Sequence, residues 1–270
     1  MQWGMTTLIW HKYALEHCFK AVSELGVKYI ELNCVRGYYE HCNAFQLADS
    51  PDELQRIAGW LRKYDLKCSA LDCHGMGGWQ TDEFDYSIEY MYKSLQVAQA
   101  LDAPLLVTSY PNGPAAWDKL VAETRKLCKK AAQSNIGVAI EVEYNYHVGS
   151  LESLERFMDE VDIPNLSVNF DCSHFARAGM DVAAAVRALF PKISHVHCKE
   201  YLPETAYSTR YTGEAGSPCD IMLDTLCELG FSGVVSAETL ADPSVDPQVA
   251  AAEIMAGINK WKERYKVRAV

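Results

Sequence analysis

Acidic and histidine side chains end four apolar segments in the second half of the chain. Glu141 ends "GVAIE", Asp171 ends "SVNFD", His197 lies in "SHVHC" and Glu238 follows "VVSA". A single acid at a strand end is usually a helix cap or a hydrogen-bond acceptor. Several acids that converge in one cavity repel one another, however, unless a cation or protons neutralise them. If the four segments are neighbours in the fold, these residues are therefore expected to bind a divalent metal ion.

The types of these side chains indicate which ion would bind. Three oxygen ligands and one nitrogen favour Mn²⁺, with Co²⁺, Mg²⁺ and Zn²⁺ as alternatives. Cys172 and Cys198 each follow an expected ligand, and strand alternation should turn their thiols away from the metal. His195 lies two positions before His197 and should share its face, and the segment "GVAIEVEY" offers Glu143 beside Glu141.

The chain alternates apolar, β-branched segments with longer segments of helical period. This alternation is the signature of repeated βα units. Strands are predicted near 3–9, 28–32, 67–73, 104–109, 137–142, 165–171, 193–198 and 232–238. Helices are predicted near 12–25, 51–64, 82–101, 114–135, 150–160, 180–190, 218–229 and 247–264. Eight such units in 270 residues predict a single-domain TIM (β/α)8 barrel over 1–270, since these barrels commonly need about 250 residues.

Two local signals support this assignment. Ser50, Pro51 and Glu53 predict a capping box with proline at the first helical position, and Gly26 and Gly230 each follow a helix end in "ELG". An open, dinucleotide-binding sheet would need a glycine-rich first βα turn, whereas residues 8–13 read "LIWHKY". The glycine-rich "HGMGGW" at 74–79 lacks the GxGxxG spacing and is predicted to be a flexible loop.

Composition excludes several classes of protein. Apolar residues make up 49% and charged residues 23% of the chain, as in ordinary globular proteins. A net charge of −11 argues against nucleic-acid binding, which depends on basic patches. Neither a secretory leader nor an apolar run of about 18 residues is present, so no membrane association is expected. The ten cysteines are scattered without a CxxC pair, which favours a reducing, cytoplasmic location.

The residues in "AIEVE", "NFDCSH", "HVHCKE" and "SAET" resemble the site of the xylose-isomerase-like TIM-barrel superfamily. This group includes sugar isomerases, D-tagatose 3-epimerase-like enzymes, inosose dehydratase and endonuclease IV, and the resemblance spans essentially the whole chain. It implies that the four expected ligands hold one ion and that Glu141 and Glu238 also move protons on opposite faces of a sugar. It also implies that His174 contacts substrate hydroxyls and that the protein forms a homodimer or homotetramer.

This sequence departs from the tagatose-epimerase pattern at two positions. His147 replaces a second glutamate six positions after the first ligand, and Pro203 replaces an arginine six positions after the metal histidine. Arg210 could supply the missing cation, although a surface arginine is the competing interpretation. His147 is either an ordinary loop residue or a general base whose unperturbed pKa suits neutral pH. His74 could line the mouth of the barrel as a further substrate contact.

We therefore expect a metal-dependent isomerase or epimerase of a small carbohydrate, acting by proton abstraction next to a carbonyl and an enediolate intermediate. The alternative is a metal-dependent lyase or dehydratase with His147 as general base. A nuclease and a non-catalytic binding barrel are less well supported. Whether the substrate carries a phosphate stays open, because the glycines of "TGEAGS" at 212–217 accompany the unfavourable charge of Glu214. Lys199, Glu200, Trp10, Trp79 and Trp117 are weaker candidates, each with a structural explanation as an alternative.

Overall fold

The strands close into a barrel. A computed structural model describes residues 1–35, 41–75, 84–113, 116–202, 207–239 and 245–268. Within these ranges the barrel strands are β1 (Gln2–Thr6), β2 (Tyr29–Asn33), β3 (Lys67–Asp72), β4 (Leu105–Thr108), β5 (Gly137–Glu141), β6 (Leu166–Asp171), β7 (Ile193–Cys198) and β10 (Val234–Ala237). All pair in parallel, and β10 lies between β7 and β1, which closes the barrel. The predicted TIM barrel and each of its eight predicted strands are confirmed.

Helices follow the strands and cover the outside of the barrel. They are α1 (Leu15–Glu24), α2 (Ala44–Ala48), α3 (Pro51–Lys63), α4 (Phe84–Ala100), α5 (Trp117–Ala132), α6 (Leu151–Val161), α7 (Cys172–Arg177), α8 (Val182–Leu189), α9 (Pro218–Glu228) and α10 (Pro247–Arg268). In α6 the buried residues recur every three or four positions, at Leu154, Phe157, Met158 and Val161. That spacing places them on one face, which packs against the barrel.

Two short helices and a β-hairpin were not predicted. The short helices α2 and α7 extend two of the βα loops, and β8 (Glu200–Leu202) pairs with β9 (Tyr207–Thr209) as an antiparallel hairpin after β7. Helices of five or six residues and strands of three carry too little periodicity to be recognised from the sequence.

The helix boundaries confirm one signal and correct another. Gly26 and Gly230 both adopt positive φ after a helix, as expected for C-terminal glycines. The capping box predicted at Ser50 was wrong: Pro51 does begin the helix, but the Ser50 side chain makes no capping hydrogen bond, and the Glu53 side chain pairs with Arg56. A capping box is present instead at Ser150, the residue before α6.

Strand register brings the carboxyl ends of four strands together. Asp171 of β6 pairs with His197 of β7, and Ser236 of β10 pairs with the same histidine. Glu141 of β5 pairs with Asn169 of β6. Because parallel strands all end at the same rim of a barrel, the side chains at these positions meet at one mouth. Residues 76–80 and 203–206, with Trp79 and Pro203, lie outside the described ranges. None of the described helices is long and apolar enough to cross a membrane.

Candidate metal centre

Four buried side chains meet at the mouth of the barrel. Glu141 ends β5, Asp171 ends β6, His197 is the penultimate residue of β7, and Glu238 follows β10. Glu141, Asp171 and His197 are fully buried and Glu238 is 7% exposed. One potential ligand atom of each lies within 4.8 Å of those of the others. The structure thus brings together all four residues that the sequence pattern singled out.

The two ring nitrogens of His197 face different partners. Nδ1 lies 2.8 Å from Glu141 Oε2 and 3.1 Å from Glu238 Oε2. Nε2 lies 2.9 Å from Glu31 Oε1, on the opposite side of the ring. Burial would lower the pKa of His197, but the surrounding carboxylates raise it well above its usual value. If Nε2 donates its proton to Glu31, Nδ1 is the nitrogen available to a cation.

Glu31 was not among the residues predicted from the sequence. It lies in β2, it is fully buried, and its second oxygen lies 2.9 Å from Nε2 of His195. Burial would raise the pKa of Glu31, but His197 and His195 hold it below its ordinary range. Glu31 is therefore an ionised carboxylate that orients both histidines of β7. The available signal was an acid in the middle of the apolar strand "YIELN".

Lys199 places a positive charge among the carboxylates. Its Nζ lies 2.7 Å from Asp171 Oδ2, 2.7 Å from Glu238 Oε2 and 3.9 Å from Glu141 Oε1. Burial would lower the pKa of Lys199, but these carboxylates raise it well above its usual value, so the amine is protonated. Lys199 therefore forms ion pairs, the structural alternative left open by the sequence, and these ion pairs lie inside the site.

A second group of titratable residues adjoins Glu141. His74 Nε2 lies 2.9 Å from Asp72 Oδ1 and 3.4 Å from Glu141 Oε2, and its Nδ1 lies 3.0 Å from Glu143 Oε1. Burial would lower the pKa of His74, but Asp72 and Glu141 raise it well above its usual value. The Glu143 side chain is 18% exposed, so solvent can reach part of it. His74 lines the mouth, as the sequence suggested, while Asp72 was missed.

His174 closes another side of the same cavity. Its Nδ1 accepts a hydrogen bond of 3.3 Å from the backbone N–H of Tyr144. Its Nε2 lies 3.5 Å from Glu141 Oε1 and 3.7 Å from Asp171 Oδ2. Because the Tyr144 amide occupies Nδ1, the ring proton is on Nε2, where it points at the carboxylates and at any ligand bound between them.

The four residues fit a divalent cation. Glu141 Oε1 is buried and accepts no hydrogen bond from the described residues, so it retains coordinating capacity. Asp171 uses Oδ1 to accept a bond of 2.8 Å from the Ser173 backbone N–H at the start of α7, which leaves Oδ2 directed into the cluster. Carboxylate oxygens with one imidazole nitrogen are ligands that Mn²⁺, Mg²⁺, Co²⁺ or Zn²⁺ can accept.

Other sequence candidates lie apart from the four ligands. The His147 ring donates to the Gly113 carbonyl through Nε2 at 3.1 Å, and its backbone N–H donates to Tyr110. Arg210 forms an ion pair of 2.5 Å with Glu253 of α10. These contacts give neither residue a described link to the cluster, so their roles in substrate binding stay predictions.

The remaining weaker candidates have structural surroundings. Trp10 is fully buried in the core, and the Trp117 indole N–H donates to Glu160 at 2.6 Å. Glu200 accepts a hydrogen bond from the Cys219 backbone N–H at the start of α9. The Cys172 thiol donates to the Lys199 carbonyl, and the Cys198 thiol contacts another cysteine, so both turn away from the ligands as strand alternation predicts.

Comparison with known proteins identifies relatives along most of the chain. A family model described as "Xylose isomerase-like TIM barrel" matches residues 19–261. The inosose dehydratase of Mesomycoplasma hyopneumoniae (strain 7448) is 26% identical over 175 residues, which are 57% of this chain and 56% of that protein. The 3-dehydroshikimate dehydratase of Bacillus anthracis is 35% identical over 79 residues, 29% of this chain and 28% of that protein. The chain thus spans about half, or less, of the length of these curated relatives.

Solved structures share the fold at low sequence identity. The probable 3-DHS dehydratase of Bacillus anthracis superposes with a TM-score of 0.74 at 19% identity, covering 96% of this chain and 99% of that one. D-Psicose 3-epimerase of Clostridium cellulolyticum H10, solved with D-tagatose, superposes with a TM-score of 0.77 at 15% identity, covering 97% and 99%. Identities this low show the shared barrel and leave the reaction undetermined.

Proposed function

The chain belongs to the family of xylose isomerase-like TIM barrels, and from that premise we propose that it is a divalent-metal-dependent lyase. Its substrate would be a small polyhydroxylated ketone, from which it would eliminate water. The observation that carries this proposal is His74, held between Glu143 and Asp72 beside the four ligands. Elimination needs a group that removes a proton from carbon and a proton for the departing hydroxyl. Glu143 and His74 together supply both.

Glu141, Asp171, His197 and Glu238 would hold the ion, at the position where their ligand atoms converge. When bound, the ion would act as a Lewis acid that polarises the substrate carbonyl and acidifies the adjacent C–H.

Glu143 would transfer the proton. Its pKa, which burial would raise, is held below the usual value chiefly by His74, so the side chain is an ionised base. In the proposed step Glu143 accepts the proton from the carbon next to the carbonyl, and a carbon–carbon double bond forms as the C–O bond breaks. The departing hydroxyl takes a proton from Glu143 or from His74 Nδ1 and leaves as water. Asp72, behind His74, orients the ring and stabilises its charge.

Two further residues would bind the substrate. The Nε2–H of His174 points into the cavity and can donate to a substrate oxygen. The ammonium of Lys199 can stabilise negative charge that develops on the carbonyl oxygen. Both curated relatives described above are named dehydratases, which supports elimination.

Isomerisation or epimerisation is the second candidate, and one observation favours it. Glu141 and Glu238 extend from strands on either side of β6 and β7, and both carboxylates lie near His197 Nδ1. Two carboxylates that approach from separate sides could remove a proton from one face of a substrate and return it to the other. This is the reaction expected from the sequence. It also begins with proton abstraction next to the carbonyl, but with Glu141 or Glu238 as the base instead of Glu143.

The test is a product analysis of the Mn²⁺-reconstituted protein in D₂O. Inosose, 3-dehydroshikimate and a panel of free and phosphorylated ketoses would be incubated with the protein and analysed by mass spectrometry. A product lighter by one water supports the lyase. A product that has lost no water but carries deuterium on a carbinol carbon supports the isomerase instead. No turnover and no exchange with any of these compounds would overturn both.

Variants separate the two mechanisms. Glu143→Gln should reduce water loss by roughly a hundredfold or more, because the general base is removed, while bound Mn²⁺ stays at the wild-type level. Glu200→Gln is the control for loss of a glutamate charge elsewhere, since Glu200 contacts the start of α9. Undiminished elimination in Glu143→Gln would exclude the proposed base.

A further inference from the structure

Two thiols lie against each other directly behind the metal ligands. Cys198 follows His197 at the end of β7, and Cys219 is the second residue of α9. Their Sγ atoms are 2.9 Å apart, and both side chains are buried. A disulfide has a sulfur–sulfur distance of about 2.05 Å, so bond formation requires the two atoms to approach by less than about 1 Å.

A third thiol adjoins this pair but has another partner. The Cys172 side chain contacts Cys219, and its thiol also donates to the Lys199 carbonyl at 3.3 Å. Cys198 and Cys219 are on different elements, β7 and α9, which the chain connects through the β8–β9 hairpin. The geometry therefore favours Cys198 as the partner of Cys219.

We propose that Cys198 and Cys219 are a site of covalent modification, an oxidisable dithiol that a peroxide converts into an intrachain disulfide. In the first step one thiolate attacks hydrogen peroxide, which gives a sulfenic acid and, after protonation, water. In the second step the other sulfur attacks the sulfenic sulfur, the S–S bond forms and the S–O bond breaks, releasing a second water. Two thiols thus lose two electrons and two protons, and one peroxide is reduced to two waters.

The surroundings of the pair predict how it reacts. Burial and the neighbouring thiols hold the pKa of Cys219 well above its usual value, so this thiol is protonated at rest and reacts slowly. Once formed, the disulfide would join the end of β7 to the start of α9 and close the segment that contains β8 and β9. Because Cys198 is the neighbour of both His197 and Lys199, this crosslink would restrain the backbone on one side of the site.

The experiment is peptide mapping of the full-length protein after treatment with hydrogen peroxide. Free thiols would be blocked with N-ethylmaleimide under denaturing conditions, and non-reducing digests would be analysed by mass spectrometry. We expect a crosslinked peptide containing Cys198 and Cys219, with a mass lower by two hydrogens and reversed by dithiothreitol. Titratable thiols should fall by two from the ten in the chain.

Variants exclude other pairings. Cys198→Ser should abolish the crosslink and the loss of two thiols, whereas Cys128→Ser, which removes a buried cysteine of α5, should leave both unchanged. Cys198→Ala provides a second test if the serine variant does not fold. A disulfide confined to Cys172 and Cys219 or to cysteines other than these three, or irreversible oxidation without a crosslink, would overturn the proposal.

Discussion

The contacts of single residues decide how the site can hold a cation. His197 contacts Glu31 through Nε2 and the ligand carboxylates through Nδ1, so a proton on Nε2 directs the Nδ1 lone pair to the side of the ligands, where the Asn169 amide also lies at 3.0 Å. Lys199 has the opposite effect, because its ammonium already neutralises Asp171 and Glu238. Metal affinity should therefore respond in opposite directions to changes at Glu31 and at Lys199.

Replacing Glu31 should weaken metal binding. Glu31→Gln keeps the size of the side chain but removes the charge that fixes the ring of His197. Loss of such a partner typically reduces metal affinity by about 10- to 100-fold. Isothermal titration with Mn²⁺ measures the change, with Glu200→Gln as the control for loss of a buried carboxylate elsewhere. Equal affinities of Glu31→Gln and the wild type would show that Glu31 does not position His197.

Replacing Lys199 should strengthen metal binding. Lys199→Met preserves much of the buried volume and removes a charge that repels an incoming cation. At an effective dielectric constant of about 20, two unit charges about 4 Å apart interact by roughly 4 kcal/mol. We expect the Kd for Mn²⁺ to fall by at least about tenfold and the metal-free variant to be less stable. A higher Kd would instead indicate that Lys199 stabilises the metal-bound state.

At the scale of elements, the ends of strands and helices position the site. Asp171 ends β6 and caps α7 with one oxygen while directing the other into the cluster. Asp171 thus caps a helix, as a strand-end acid often does, and its second oxygen lies where the predicted ligand is needed. Capping elsewhere depends on backbone geometry as much as on residue type, as the two N-cap serines of α3 and α6 show.

These two serines should differ in their contribution to stability. The Ser150 side chain accepts a hydrogen bond of 3.1 Å from the Ser153 backbone N–H, whereas Ser50 makes no such bond. Ser150→Ala should lower the free energy of unfolding by about 1 kcal/mol. Ser50→Ala serves as the matched control, and a smaller loss is expected there. Urea denaturation of both variants checks this, and similar losses would contradict it.

At the scale of the whole molecule, the barrel gathers buried carboxylates that the metal-free protein must neutralise internally. Lys199, His197 and His74 provide that neutralisation, and each has a raised pKa. Binding of a divalent cation should therefore be linked both to the stability of the fold and to release of protons.

Mn²⁺ should stabilise the wild-type fold. A ligand present at 100 times its Kd raises the free energy of unfolding by about 2.7 kcal/mol if it binds only the native state. Thermal denaturation with and without Mn²⁺ measures this effect. Glu238→Gln should show a much smaller increase, and an identical increase in the variant would place the bound ion elsewhere.

Mn²⁺ affinity should increase with pH. The pKa of His197 is raised above 6.5 in the metal-free protein, so below that raised pKa its Nδ1 carries a proton that the metal must displace. Affinity should rise by about tenfold per pH unit up to the raised pKa and level off above it. Titrations in buffers of different ionisation enthalpy would count the protons released, and a pH-independent Kd would contradict the assigned ligand.

Much of the fold could be predicted because it depends on local patterns. The alternation of β-branched and helical segments determined the number, order and approximate bounds of the barrel strands. The rule that parallel strands expose their carboxyl ends at one rim then brought Glu141, Asp171, His197 and Glu238 together. For these residues, chain position alone specified the end of the barrel at which they lie.

Only the tertiary structure decided which other side chains join them. Glu31 reaches His195 and His197 from β2, across the barrel, and the strand pairing is irregular between Ile30 and Glu31. The contacts of His74 with Asp72 and Glu143 likewise join the end of β3 to the residues after β5. Such contacts depend on barrel closure and on local register shifts. Neither leaves a periodic trace in the sequence, whereas secondary structure does because its hydrogen bonds and side-chain directions repeat along the chain.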